Sequence, residues 1–152
     1  SPSPSPAPSC GTELIVNNGF ESGSGTNNSN FSVYGWAVTL PASGSVVSID
    51  STTFNSGSQS VKLAVDASNS NNGIKSSQTF SVRENTFYNF NLWVKSSSTG
   101  ELQIQFRTGL GSGNYLQSDG TTWNTTATYF NISTTTSWTK YSLNFVTAVG
   151  QH

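Results

Sequence analysis

Three stretches of this chain alternate apolar and polar residues with a period of two, and that pattern decides the fold class. In 87–96, Tyr88, Phe90, Leu92 and Val94 share one face, while Asn89, Asn91, Trp93 and Lys95 share the other. In 101–108, Leu102, Ile104 and Phe106 oppose Gln103, Gln105 and Arg107. In 138–146, Tyr141, Leu143 and Phe145 oppose Lys140, Ser142 and Asn144. A helix would bring residues three and four apart onto one face, so only a half-buried strand satisfies this spacing. The run 59–66 repeats it, with Val61, Leu63 and Val65 against Ser60, Lys62 and Asp66. Gly, Asn, Ser and Asp cluster between the runs, at 22–30, 67–73, 97–100 and 109–113, and read as turns. Strands are therefore predicted over 13–17, 33–39, 45–50, 59–66, 74–82, 87–96, 101–108, 127–133 and 138–146, with no helix. The expected fold is all-β, a two-sheet antiparallel β-sandwich with Val61, Leu63, Phe90, Leu92, Val94, Ile104, Phe106, Leu143 and Phe145 in its core.

Composition agrees. Ser, Thr and Asn make up 63 of the 152 residues and charged residues only 9%, yet aromatics reach 12%, enough to build a core rather than a disordered coil. Residues 1–9 alternate Ser with Pro, which favours extended polyproline II and acts as a semi-rigid spacer. The division expected is a linker over 1–12 and one domain over 13–152, with the linker marking it as one module of a larger secreted, extracellular protein. The lone Cys10 at the junction has no cysteine partner and no metal-ligand spacing around it.

The same residues exclude several functions. A net charge of −1 with six scattered Lys and Arg gives no footprint for nucleic acid or anionic membrane, and no apolar run is long enough to span a bilayer. Glycoside hydrolysis generally needs two carboxylates facing one bond. Glu13, Glu21, Asp50, Asp66, Glu84, Glu101 and Asp119 place no pair on one face of a central strand. The one histidine is the terminal His152, so no Ser-His-Asp arrangement is expected either.

What remains is the polar face. Asn91 and Trp93, and Gln103, Gln105 and Arg107, would form one outer surface if 87–96, 101–108 and 138–146 share a sheet. An indole beside planar amides suits a sugar, whose C–H face packs on the ring while its hydroxyls need donors and acceptors together. Tyr115 and Tyr129 are candidate loop contacts.

Leu14-Ile15-Val16-Asn17-Asn18-Gly19-Phe20-Glu21, Gly35-Trp36, Ser56-Gly57-Ser58-Gln59-Ser60-Val61-Lys62-Leu63, Tyr88-Asn89-Phe90-Asn91-Leu92-Trp93-Val94-Lys95 and Ser137-Trp138-Thr139-Lys140-Tyr141 stand in an order that resembles the superfamily of family 4, 9, 16 and 22 carbohydrate-binding modules. The resemblance covers about residues 13 to 147. It implies a β-jelly-roll whose concave face binds a β-linked polysaccharide of glucan, xylan or mannan type. It also implies a tethered catalytic domain that degrades the polysaccharide, and a structural calcium. By the same resemblance Trp36, Gln103, Gln105 and Trp123 would grip the sugar, Trp36 being readable equally as a core plug. Glu21 would ligate the calcium, with carbonyls near 56–59. Such modules finish with a further strand bearing an Asp-rich motif, which has no counterpart before Val149-Gly150-Gln151-His152, so either the jelly roll lacks that strand or the fold ends differently. Trp138 reads as a structural aromatic at a strand start.

A second reading is a structural or adhesion sandwich of a surface protein, with the same fold and no sugar site. Exposure separates the two. Binding requires Trp93 or Trp123 beside Gln103 and Gln105 in an open groove, and burial of both indoles favours the spacer.

Overall fold

The structure, a computed structural model, describes residues 11–39, 44–65, 73–109 and 113–150. The Ser-Pro spacer and Cys10, the strand end at Asp66, most of the 67–73 turn, residues 110–112 of the Gly-rich loop and the final Gln151 and His152 lie outside the described residues. Twelve strands and no helix make up the regular structure of the remainder.

Two antiparallel ribbons dominate. Strands β7 (Phe87–Val94) and β12 (Thr139–Val146) pair along their whole length, from Phe87 opposite Val146 to Val94 opposite Thr139. Along β7 exposure alternates strictly, so the period of two read from the sequence is realised residue by residue. Strands β8 (Gly100–Ile104) and β11 (Phe130–Thr134) form the second ribbon, with Ile104 opposite Phe130 and Gln103 opposite Asn131.

Phe106, just past β8, joins the ribbons. Its ring lies 5.0 Å edge-on to Phe90 of β7, 5.2 Å from Phe145 of β12 and 6.0 Å from Phe130 of β11. Phe90, Tyr141 and Leu143 face Ile104, Phe130 and Ile132 across one apolar cleft of about 180 Å³. This ring and the shared apolar cleft bring the inward faces of the two ribbons together, as the layers of a sandwich meet. The condition that 87–96, 101–108 and 138–146 share a sheet is met by the first and last, since 87–94 pairs with 139–146, and not by the second, since 100–104 pairs with 130–134.

The rest of the sandwich is built from shorter pieces. Strands β1 (Gly23–Ser24), β2 (Ser32–Val33), β3 (Trp36–Thr39) and β6 (Gly73–Ser76) make a four-stranded sheet in the order β1-β2-β3-β6. Strand β4 (Val46–Asp50) pairs with β5 (Ser60–Ala64), and β9 (Tyr115–Leu116) with β10 (Trp123–Asn124). The 22–30 turn is pinned to β4 by Asn28, whose amide donates to Ser45 O at 2.7 Å and accepts from Val47 N at 2.6 Å.

Three further expectations change. Residues 13–17 form no strand, 74–82 is a strand only to Ser76, and 101–108 only to Ile104. Among the described residues the buried apolar side chains are Val33, Val47, Leu116 and Ile132, of which Val47 and Leu116 are fully buried. The nine residues predicted for the core point inward but are half-buried, as the thin layers of a small sandwich allow.

Candidate functional site

A groove of about 400 Å³ runs along the edge of β7 that does not pair with β12. One wall is β7 itself, with Asn89, Asn91 and Trp93. Glu13, Ile15, Asn18, Phe20 and Trp36 form the other, and Asn55, Ser56, Gln59, Ser60 and Trp138 complete the lining.

The N-terminal wall is held by Asn17, which takes a positive φ of 51°. Its side-chain amide donates to Ser22 O and Tyr34 O at 3.2 and 3.0 Å, and its Oδ1 accepts from Ser22 N at 3.0 Å. Its carbonyl accepts from the Trp36 indole N–H at 3.2 Å, and the Phe20 ring leans on Trp36 at 5.0 Å. Trp36 is thus anchored at its nitrogen and half-buried, partly a plug and partly a wall, which joins the two roles the sequence left open. Glu13 braces the same wall by accepting from Ile15 N at 2.9 Å and Asn18 Nδ2 at 3.1 Å.

The β7 wall carries a chain of polar side chains across the ribbon. Ser142 Oγ donates to Asn91 Oδ1 at 2.7 Å, Asn91 Nδ2 donates to Asn89 Oδ1, and Asn89 Nδ2 donates to Asn144 Oδ1 at 2.6 Å. All four are exposed. A primary amide has two N–H donors and two acceptor lone pairs, so each keeps capacity for an incoming hydroxyl while its orientation is fixed by its neighbours. Beside them Trp93, opposite Lys140, leaves 47% of its surface open.

The structure divides the predicted site residues. It brings Trp36, Asn91 and Trp93 into the groove. Gln103 lies on the outer face of the other ribbon, where its Nε2 donates to Asn131 Oδ1 at 3.1 Å. Gln105 is half-buried just past the end of β8. The Arg107 guanidinium sits 5.6 Å over the Tyr115 ring, a cation–π contact within the protein. Trp123 is half-buried, its indole N–H donating to Val146 O at 2.9 Å and its ring 6.2 Å from Phe145. The open indole is therefore Trp93, and it stands apart from Gln103 and Gln105. Tyr129 is exposed next to β11. Asn89 and Trp138 are among the groove residues that the sequence reading did not name as contacts. Asn89 shares the alternating face of Asn91 and was legible there. Trp138 was not, because only the pairing of β12 with β7 places it at the end of the groove.

Glu21 has a different setting. Its carboxylate accepts from Ser58 N at 3.0 and 3.2 Å and from Ser58 Oγ at 2.6 Å. The Ser58 hydroxyl bond, above all, holds this carboxyl below the usual range, against a smaller desolvation effect. The approach requires glycine at position 57, where φ is +75° and a Cβ would stand 2.1 Å from Glu21 Oε1. Calcium takes about 6–8 oxygens. No group of three His, Cys, Asp or Glu forms among the described residues, so an ion held by Glu21 would draw most of its oxygens from backbone carbonyls and water.

A family model described as a carbohydrate binding domain, CBM_4_9, matches residues 12–152. The chain belongs to that family. No curated protein and no solved structure matches it. Carbohydrate-binding modules of this kind are typically non-catalytic, and several carboxylates of this one accept hydrogen bonds from the protein itself. Asp50 accepts from Thr52 N, Thr52 Oγ1 and Thr53 N, and Glu21 from Ser58. The module thus presents amides and indoles to its groove, with Glu13 the one carboxylate among the lining residues.

Proposed function

We propose that this carbohydrate-binding module takes a β-linked polysaccharide chain of glucan, xylan or mannan type into the groove beside β7, and so holds an appended secreted glycoside hydrolase on its substrate. The observation that carries the reading is three indoles, Trp36, Trp93 and Trp138, lining the same open groove as Asn89 and Asn91. The C–H faces of pyranose rings pack on indole, and the amides exchange hydrogen bonds with ring hydroxyls at no cost in buried charge. The groove mixes its indoles with the amides of Asn89, Asn91 and Gln59, which favours a soluble chain over crystalline cellulose. The Ser-Pro segment supports the tether.

A shallow wet groove gains little from each hydroxyl exchanged with water, so affinity is expected in the micromolar to millimolar range, about 4–8 kcal/mol. Isothermal titration with cello-, xylo- and manno-oligosaccharides tests this. Trp93→Ala and Trp138→Ala should each weaken binding by about 0.5–1.5 kcal/mol. The double change Gln103→Ala with Gln105→Ala should leave it intact. The opposite result would move the site to the outer face of β8. A parent protein that binds none of these sugars would favour the structural spacer, the reading to which the half-buried Trp123 lends support.

Calcium is a separate element of the proposal. Glu21 would give the ion one carboxylate in exchange for its Ser58 hydrogen bonds, with carbonyls near 56–59 and water supplying the other oxygens. An ion bound only to the native state at a hundredfold excess over Kd adds about 2.7 kcal/mol. Melting temperature should then rise with calcium and fall with chelator, and indifference to both removes the ion.

A further inference from the structure

We infer that Phe87 is a distal sugar subsite, and that the module's ligand is a linear glycan lying along β7 with one end on Trp93 and the other on Phe87. The inference rests on the reading just given and extends it. The outward residues of β7 are, in order, Phe87, Asn89, Asn91 and Trp93. The two ends of this row are aromatic and its middle is amide.

Phe87 leaves 64% of its surface open, more than Trp93 at 47%. Among the described residues it joins none of the ring pairs that Tyr88, Phe90, Phe106, Phe130 and Phe145 form inside the sandwich. Its ring stands on the polar face, opposite Val146, in line with the Asn89–Asn144 pair. Six residues of antiparallel strand separate it from Trp93, about 20 Å. That span exceeds a disaccharide and suits a run of several sugar rings.

Such a row is graded by ligand length. A short oligosaccharide fills the Trp93 end, beside which Trp138 precedes the Thr139–Val94 pair, and reaches only the nearer amides. A longer one continues over Asn89 and covers Phe87, removing that ring's apolar surface from water. Affinity should therefore climb with chain length until the ligand spans the row.

The experiment is titration of the parent, Phe87→Ala, Phe87→Tyr and Trp93→Ala with cello-, xylo- and β-manno-oligosaccharides from disaccharide to hexasaccharide. Phe87→Ala should weaken hexasaccharide binding about twofold to tenfold, as loss of a specific ring contact does, and leave disaccharide binding unchanged. Phe87→Tyr keeps the ring and should restore the hexasaccharide affinity. Trp93→Ala should weaken both lengths. If Phe87→Ala binds hexasaccharide like the parent, the distal subsite is wrong while glycan binding in the groove stands. A Phe87→Ala loss equal for both lengths also overturns it, since the ring would then act through the fold. A parent that binds none of the ladders overturns the subsite together with the reading beneath it.

Discussion

Asp119 Oδ1 accepts from the backbone N–H groups of Thr121 and Thr122 at 2.9 and 2.8 Å, and its Oδ2 from the Thr122 hydroxyl. The Thr122 hydroxyl first, then the two backbone donors, lower its pKa from 3.8 to about 2. A carboxyl whose folded pKa is depressed stabilises the fold fully above its unfolded value and loses that contribution as pH falls through the folded one. The window here runs from about pH 4 down to about 2. Asp119→Asn keeps an acceptor for the two backbone donors but cannot titrate, so its melting temperature should fall less steeply than the parent's across that window. Identical slopes would show that the group is uncoupled from folding. The turn matters to the module because Gly120, at φ +73°, accepts through its carbonyl from Val146 N and leads the chain into Trp123. A Cβ at 120 would meet Asn144 O at 3.0 Å, on the strand that carries the outer amides.

At the scale of elements the two ribbons depend on one ring. Phe106 touches Phe90, Phe130 and Phe145, three strands in two layers. Phe106→Ala should cost about 3–5 kcal/mol, a large part of the 5–15 kcal/mol that a domain of this size has. Urea unfolding measures it, and a loss below about 1 kcal/mol would mean that the layers are held elsewhere. This is also the scale at which the sequence stopped being readable. Alternation put Asn91, Trp93 and Lys140 on the outer surface and Phe90, Ile104 and Leu143 within, and all are so placed. It could not say which strands are neighbours, because a period of two fixes the direction of a side chain and not its partner across the ladder. Gln103 was therefore grouped with Asn91, although β8 pairs with β11 in the opposite layer. Gln105 lost its outward position because β8 ends at Ile104. The 13–17 run has the apolar, β-branched Leu14-Ile15-Val16 of a strand, yet Asn17 turns back on Ser22 and makes it a wall of the groove instead.

For the whole molecule, the distribution of its four tryptophans has a practical meaning. Trp36, Trp93 and Trp138 line the groove, while Trp123 is half-buried with its nitrogen on Val146 O and its ring against Phe145. Ultraviolet emission from this protein is therefore weighted three to one toward the surface that a ligand would cover, over a fourth fluorophore whose surroundings stay constant. Occupancy can be followed by intrinsic fluorescence with no dye, label or enzyme assay. Any sugar that leaves the emission spectrum unmoved has bound somewhere other than beside β7.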